Sequence, residues 1–320
     1  RQALGGLRQI LTNWQPPEDD RLDAFGVDIS FSNWLRHLVT FHRFGLDAVP
    51  QRIAEIGPGD SIGAGLAAIL CGARSYCGCD AVRFARADED RALLEELIPL
   101  FESRAPIPDW PEARPVLPSN DFPSDVLDDE LLERCLCAPR IESLRRALAQ
   151  LEQLDGCAAD GEIELRYCAP WSAADLAAAG PVDLIFSQAV MCYLPDLSET
   201  YGLFYRWLTP GGFMGHQIDF SGVETSHIWN AHWTYSDLTW RLMRGRKPYF
   251  LSRHPLSAHL KAIEAVGFEV VNVDREVIND GVVRRQLAPR FRNISDSDLH
   301  TRTAHIVARK PVKSAATLGA

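Results

Sequence analysis

The sequence lacks the features that mark several large classes of proteins. None of its apolar runs approaches the roughly 20 residues that a membrane-spanning helix needs. Only 33 Lys and Arg stand against 43 Asp and Glu, a formal net charge of −10, whereas phosphate binding depends on clustered basic residues. The eight cysteines have none of the C-x-x-C pairs typical of zinc sites. We therefore predict no membrane association, no nucleic-acid partner and no bound metal.

What the chain does contain is enough apolar material for a full core. Its 320 residues are 46% hydrophobic and 24% charged, an ordinary balance for a globular protein. The length suits one large domain with insertions, or two domains. We expect a cytoplasmic protein, monomeric or homodimeric, with a small molecule as its partner and with reduced cysteines that serve packing.

Strand and helix patterns alternate along most of the chain. A strand at 51–57 runs through a glycine-rich turn into a small-residue helix at 62–73, and a second strand follows at 74–80. The alternation resumes with a strand at 162–168, a short helix near 172–179, a strand at 182–188 and a helix at 197–208. Strands separated by helices predict a doubly wound, mostly parallel α/β sheet, and the last two strand patterns, FEVVNV and TAHIVA, predict a closing antiparallel hairpin.

Four parts of the chain differ in composition. Residues 1–50 form a predicted N-terminal helical cap that contains an amphipathic helix at 29–44, and residues 51–80 and 161–310 form the core. Residues 81–160 are too long for an ordinary crossover and include a proline-rich stretch at 105–124, so we interpret them as a helical insertion. The insertion is either a lid or a surface decoration. Residues 311–320 are a C-terminal tail.

The strongest functional signal lies where the first strand meets the first helix. Gly57 and Gly59 let the backbone approach a ligand, and the helix that follows offers N–H groups and a positive dipole end. Asp80, at the end of the second strand, can accept two hydrogen bonds from a ribose diol. The spacing is G-x-G-x-x-x-G rather than the dinucleotide G-x-G-x-x-G, and there is no G-K-[ST]. A carboxylate from Glu55 at this loop would repel a pyrophosphate and suit an amino-bearing ligand.

Four motifs in order resemble the class I S-adenosylmethionine-dependent methyltransferases. The resemblance covers roughly residues 50–310 without the insertion. It rests on the acid-x-G-x-G loop at Glu55, Gly57 and Gly59, on Asp80, on VDLIFSQAVMCYLPD at 182–196 and on the L-x-P-G-G turn at 208–212. Ser61 stands where a third glycine is common, and Cys192-Tyr193 stands where many small-molecule members have Glu-His.

The resemblance implies a fold, a cofactor and a set of binding residues. The fold would be a seven-stranded, mostly parallel sheet, and the cofactor S-adenosylmethionine. Glu55, Gly57, Gly59 and Asp80 would hold it. By the same analogy Ala169 and Trp171 would lie against the adenine, and Ser187 and Gln188 would line the methyl-donor side.

Candidate catalytic and substrate-binding residues follow the fourth and fifth core strands. A histidine can take a hydroxyl proton near neutrality, so His232 oriented by Asp219 is the predicted base, with His216 as a further candidate. The predicted substrate-binding residues are Tyr193, His227, Trp229, Trp233 and Tyr235. The sequence therefore predicts O- or N-methylation of a small molecule. The alternatives are an NAD(P)-dependent oxidoreductase and a non-catalytic binding protein of the same fold.

Overall fold

A computed structural model describes residues 26–153, 156–222 and 225–312. The predicted cap is thus described from residue 26, and the predicted tail lies outside the described residues from 313 onward. The strands are β1 (Arg52–Ile56), β2 (Ser75–Cys79), β3 (Cys157–Asp160), β4 (Ile163–Cys168), β5 (Val182–Gln188), β6 (Leu208–Asp219), β7 (Glu269–Val277) and β8 (Thr301–Arg309). The α-helices are α1 (Val27–Arg43), α2 (Gly63–Leu70), α3 (Ala87–Glu102), α4 (Asp129–Cys135), α5 (Ala138–Gln153), α6 (Ala173–Ala179), α7 (Leu197–Trp207), α8 (Asp237–Arg244), α9 (Leu256–Ala265) and α10 (Asp296–His300).

The strands form one sheet in the order β3-β4-β2-β1-β5-β6-β8-β7. The five strands from β4 to β6 are parallel, and β8 runs antiparallel to both β6 and β7. The predicted parallel sheet and closing hairpin are therefore confirmed. The sheet has eight strands rather than seven because the chain adds an antiparallel edge strand, β3, immediately before β4.

Two apolar clusters cover the two faces of this sheet. One joins α1 through α5 to one face, and the other joins α6, α7 and α9 to the opposite face. The predicted apolar stripe of the first helix is fully buried in the first cluster: Phe31, Trp34, Leu35, Leu38 and Phe41. The first cluster is called the α1 face below.

The helices of the segment 81–160 share this cluster. Leu97 on α3 and Leu144 on α5 are buried together with Leu66 of α2 and Leu165 of β4. These helices therefore cover the sheet as part of the main core, and the proline-rich stretch 105–124 adds buried Ile107 to the same cluster. All eight cysteines are free of disulfides. Among the described helices, none is long and apolar enough to cross a membrane.

Candidate active site

The glycine-rich loop after β1 adopts backbone conformations that favour glycine. Gly57 has φ +72° and Gly59 has φ +73°. The Gly57 N–H donates to the carbonyl of Cys79 at 2.7 Å, which fastens the loop to β2. A Cβ on Gly57 would lie 2.4 Å from a methyl carbon of Val190, so the loop after β5 packs directly on this turn. Both predicted glycines are needed for the shape of the loop.

Asp80 follows β2 at the same edge, with its side chain 7% exposed. One carboxylate oxygen accepts from the Gly59 N–H at 3.0 Å and the other from the Ala81 N–H at 2.7 Å. Burial raises the pKa of Asp80 above its usual value, and these backbone donors partly offset that rise. Each carboxylate oxygen can accept a second hydrogen bond. The geometry thus leaves capacity for a ligand diol.

The N-terminus of α2 is capped by a side chain that the sequence reasoning missed. A carboxylate oxygen of Asp90, on α3, accepts from the Ser61 hydroxyl at 2.8 Å and from the Ile62 N–H at 2.9 Å. Asp90 is 3% exposed, and burial raises its pKa to about 6. The expectation that this helix end offers its N–H groups to a ligand is therefore wrong for Ile62. Asp90 lies 28 residues away, beyond the reach of a local capping pattern.

Glu55 does not stand free at the loop, in contrast to the expectation from sequence. Its carboxyl group is 5% exposed and accepts a hydrogen bond from the Tyr76 hydroxyl at 2.6 Å. Burial raises the pKa of Glu55 to about 8. The carboxyl group therefore lies beneath the loop, where it is engaged by Tyr76, rather than free at the loop as expected.

The predicted adenine residues lie at the end of β4. The Trp171 N–H donates to the backbone carbonyl of Asp80 at 3.1 Å, so the two strand ends are joined. Trp171 and Ala169 are half-buried, and it is Ser172 that caps α6. Tyr193 follows β5, and its ring centroid lies 5.6 Å from that of Tyr249. The contacts predicted for Ala169, Trp171 and Tyr193 remain predictions.

Ser187 and His216 face away from the α1 face and into the core. They are register partners on β5 and β6, both fully buried, and the Ser187 hydroxyl lies 2.8 Å from His216 Nδ1. The His216 ring stacks on Phe204, with centroids 5.6 Å apart, and burial lowers its pKa to about 3. This placement contradicts a cofactor contact for the Ser187 side chain and a catalytic role for His216. Side chains alternate between faces along a strand, and these two point into the fully buried apolar cluster opposite α1.

Asp219 and His232 do not form the predicted pair. The Asp219 carboxylate accepts from the N–H and the hydroxyl of Ser221. His232 is 3% exposed, its Nδ1 lacks a partner among the described residues, and burial lowers its pKa to about 3. The His232 ring instead packs on Trp233, with centroids 4.6 Å apart. The carboxylate therefore does not orient the imidazole.

The other aromatic and histidine candidates of this segment are scattered. Trp233 is fully buried in a small third cluster with Phe291, and its indole N–H donates to the carbonyl of Arg253 at 3.1 Å. That placement contradicts substrate contact by Trp233. Trp229 and Tyr235 are half-buried and His227 is exposed. The Tyr235 ring stacks on Trp240, with centroids 6.1 Å apart. The substrate contacts of Trp229, Tyr235 and His227 remain predictions.

Gln188, in contrast, lies at the α1 face and has partners that no local pattern indicates. Its Oε1 is 3.3 Å from His37 Nε2, on α1, and its Nε2 donates to the carbonyl of Arg114 at 3.3 Å. His37 Nδ1 in turn is 3.3 Å from His305 Nε2, on β8. The helical stripe of α1 predicted its burial but gave no sign that a histidine and an arginine lie within that buried surface.

The proline-rich stretch 105–124, called the strap below, is fastened to α1 by one buried arginine. Arg36 is 1% exposed and donates to the carbonyls of Pro108 and Pro115, at 2.9 and 3.1 Å. It also pairs with Asp109 at 2.8 Å and donates to the Ser32 hydroxyl at 2.9 Å. The strap also reaches the carboxyl edge of the sheet, where its Arg114 carbonyl accepts from Gln188 at the end of β5.

No group of three or more His, Cys, Asp or Glu side chains that could hold a metal ion occurs within residues 26–153, 156–222 and 225–312.

Comparisons with known proteins give the site a context. No protein-family model matches the chain. A stretch of 90 residues, 28% of the chain, is 37% identical to the trans-aconitate 2-methyltransferase of Azoarcus sp. (strain BH72) and spans 30% of that enzyme's length.

Solved structures with similar folds have low sequence identity to the chain. Phosphoethanolamine N-methyltransferase 2 of Haemonchus contortus, in complex with S-adenosyl-L-methionine, is 16% identical with a TM-score of 0.40, over 87% of this chain and 53% of that one. A SAM-dependent methyltransferase of Methanosarcina mazei is 11% identical with a TM-score of 0.42, over 86% and 98% of the two chains.

The strand order identifies the fold directly. Five parallel strands with the switch point between β1 and β5, followed by an antiparallel strand inserted between β6 and the edge strand β7, define the class I S-adenosylmethionine-dependent methyltransferase fold. The fold implied by the sequence motifs is confirmed.

Proposed function

We propose that this chain is an S-adenosylmethionine-dependent methyltransferase that acts on a small molecule, at oxygen or nitrogen. The observation that carries the proposal is the arrangement of Asp80. Its carboxylate is held by the N–H groups of Gly59 and Ala81 beside two positive-φ glycines, and retains acceptor capacity for a ribose diol. The partial match to a methyltransferase sequence supports the same conclusion.

The remaining residues of the edge would complete a cofactor site. Trp171 and Ala169 would contact the base, and Gln188 would line the opposite end of the groove. A bound S-adenosylmethionine supplies an activated methyl group, so the protein has mainly to align an acceptor and exclude water. The strap and α1 both contact this edge at Gln188 and would help to exclude water from it.

The capped end of α2 favours this proposal over a nicotinamide-dependent oxidoreductase. A dinucleotide places its pyrophosphate at the N-terminus of the helix after the glycine loop. Here the carboxylate of Asp90 already accepts from Ser61 and Ile62 at that end. A pyrophosphate would meet a carboxylate in the place where it needs N–H donors.

Isothermal titration with S-adenosylmethionine tests the proposal. We expect Asp80→Ala to weaken binding by about 10- to 100-fold, the equivalent of one lost charge-assisted contact of about 1.5–3 kcal/mol. Asp160→Ala is the matched control, because Asp160 ends β3 at the opposite edge of the sheet and pairs with Arg146. Absence of heat and of a thermal shift at millimolar cofactor would refute the proposal, and binding of NAD(P) instead would favour the oxidoreductase. Cofactor binding without turnover over a metabolite extract would indicate the non-catalytic alternative.

A further inference from the structure

Three polar side chains lie in a row at the carboxyl end of the sheet, on the α1 face. Gln188 ends β5 and is the register partner of Gln217 on β6, which is the register partner of His305 on β8. Gln217 is 4% exposed and His305 is 2% exposed. Gln188 lies two residues before Val190, which packs on the glycine loop at Gly57. The row therefore begins beside the proposed cofactor site and continues away from it.

The hydrogen bonds that end at His305 run in one direction. The carbonyl of Arg114 can only accept, so Gln188 directs its Nε2 there and its Oε1 toward His37. His37 must then carry its hydrogen on Nε2 and accept at Nδ1 from the Nε2–H of His305. It follows that Nδ1 of His305 is a bare lone-pair acceptor.

Two buried acceptors consequently lack a donor. Neither His305 Nδ1 nor Gln217 Oε1 has a hydrogen-bond partner among the described residues. Burial lowers the pKa of His37 to about 4 and that of His305 well below its usual value, so both rings are neutral. A buried acceptor without a donor destabilises the folded protein, because it has lost its hydrogen bond to water. Two neighbouring acceptors without donors therefore favour a ligand that brings its own hydrogen.

The charges nearby indicate which kind of donor fits. Asp219, two residues further along β6, is engaged by Ser221. Glu276, on β7, pairs with Arg114 at 3.5 Å. An ammonium group would thus be buried without a carboxylate of its own, which is costly. A carboxylate ligand would bring no hydrogen at all. An uncharged hydroxyl group brings a hydrogen without a charge, and its one hydrogen can be donated to either of the two acceptors.

Arg114 of the strap contacts the strands on either side of Gln217 and His305. Its carbonyl binds Gln188 on β5 and its guanidinium binds Glu276 on β7. The strands that carry Gln217 and His305, β6 and β8, are the two that lie between β5 and β7. Arg114 therefore bridges the two strands that flank the strands of the two acceptors.

We propose that Gln217 and His305 form a pocket that receives a hydroxyl group of the methyl acceptor. The identification of the ligand as the methyl acceptor rests on the proposed function, whereas the pocket and its preference for an uncharged hydroxyl donor do not. Neither residue was singled out by the sequence, because a glutamine and a histidine on alternating strand positions look like any buried polar pair.

Histidine ¹⁵N spectroscopy with propan-2-ol and acetone as probes tests the pocket directly. The two probes share a carbon skeleton, but only propan-2-ol has a hydrogen to donate. His305→Gln identifies the His305 signals by their loss. We expect an unprotonated Nδ1 at His305 whose resonance shifts saturably with propan-2-ol and not with acetone. The signals of His216, which is fully buried on the opposite face, serve as the control and should not move.

Each other outcome overturns the inference. A protonated Nδ1 would show that the hydrogen-bond direction is wrong. An equal response to both probes, or no response to either, would show that the position holds a buried water only. Since none of these spectra requires S-adenosylmethionine, the cofactor titration fails or succeeds separately.

A kinetic comparison becomes possible once methyl-transfer screening has found substrates that carry a hydroxyl group. Gln217→Leu removes a hydrogen-bond acceptor and should raise KM for a hydroxyl-bearing substrate at least tenfold. His305→Gln keeps an acceptor and should change KM less than His305→Leu does. Unchanged KM in Gln217→Leu, with cofactor binding intact, would contradict the pocket.

Discussion

The Tyr76 hydroxyl donates to the carboxyl group of Glu55 at 2.6 Å in a place where both side chains are closed off from water. The acid is held in its protonated state mainly by burial, which raises its pKa to about 8, while the hydrogen bond from Tyr76 opposes that rise. The pair lies under the glycine loop, so the charge state of Glu55 bears on the stability of the site.

Replacing Glu55 by Gln should reduce the fall in folding stability that is expected as pH rises from 4.5 to about 8. The folded pKa of about 8 lies above the unfolded value of 4.5, so the native state holds an extra proton between these pH values. The free energy of unfolding therefore falls as pH rises through that window, by up to about 1.4 kcal/mol per pH unit. Glu55→Gln has no proton to lose and should remove this part of the slope.

Urea unfolding at several pH values between 5 and 8 measures the slope. Tyr76→Phe is the control, because it removes the hydrogen bond that lowers the pKa and should leave the decline in place. An identical slope in wild type and Glu55→Gln would show that Glu55 is ionised in the folded protein.

Replacing Arg36 by Met should release the strap. Arg36 holds it through the carbonyls of Pro108 and Pro115 and through Asp109, and hydrogen bonds to a charged group contribute about 1.5–3 kcal/mol each. Loss of about 1.4 kcal/mol makes local opening tenfold more frequent. We expect protease cleavage within 105–124 to become at least tenfold faster. Arg43→Met, at the exposed end of the same helix, should leave the rate unchanged.

The cleavage assay also addresses the lid interpretation. If the strap closes over a bound cofactor, S-adenosylhomocysteine should slow cleavage of the wild-type strap. Equal rates with and without this ligand would favour a surface decoration.

His232→Ala should act on stability rather than on turnover. Loss of a positioned base would lower turnover by at least about 10²-fold, but the structure buries His232 against Trp233 and engages Asp219 elsewhere. We now expect a lower melting temperature, with turnover at saturating substrate within about threefold of wild type. Cofactor titration on the same variant verifies an intact site. A hundredfold loss of turnover in a folded variant would restore the original role.

The parts of the site that the sequence predicted are those with local signals. The turn at Gly57 and Gly59 and the acid at Asp80 lie within a single strand-loop-helix-strand unit, where spacing and residue type suffice. Side chains along β5 and β6 alternate between the two faces of the sheet, and Ser187 and His216 lie on the face that is buried in the core. A local pattern cannot show which face of a parallel strand carries the site when both faces are covered.

The parts that the sequence missed depend on contacts between distant segments. Asp90 reaches back to α2, Arg36 reaches forward to the strap, and His37 meets a partner 268 residues away in His305. Each of these side chains is polar and buried, which neither periodicity nor composition indicates. Their burial is stable because partners from other elements satisfy them.

The hydrogen bond from Gln188 to the carbonyl of Arg114 determines the donor-to-acceptor direction of the hydrogen bonds that join Gln188, His37 and His305. The carbonyl of Arg114 accepts from Nε2 of Gln188, so Oε1 faces His37. This orientation places the hydrogen of each imidazole on Nε2. Without that carbonyl, nothing would fix the orientation of the Gln188 amide, and it would no longer select one tautomer of His37 and His305. One main-chain oxygen in a proline-rich loop thus sets whether a position two strands away attracts hydrogen or offers it.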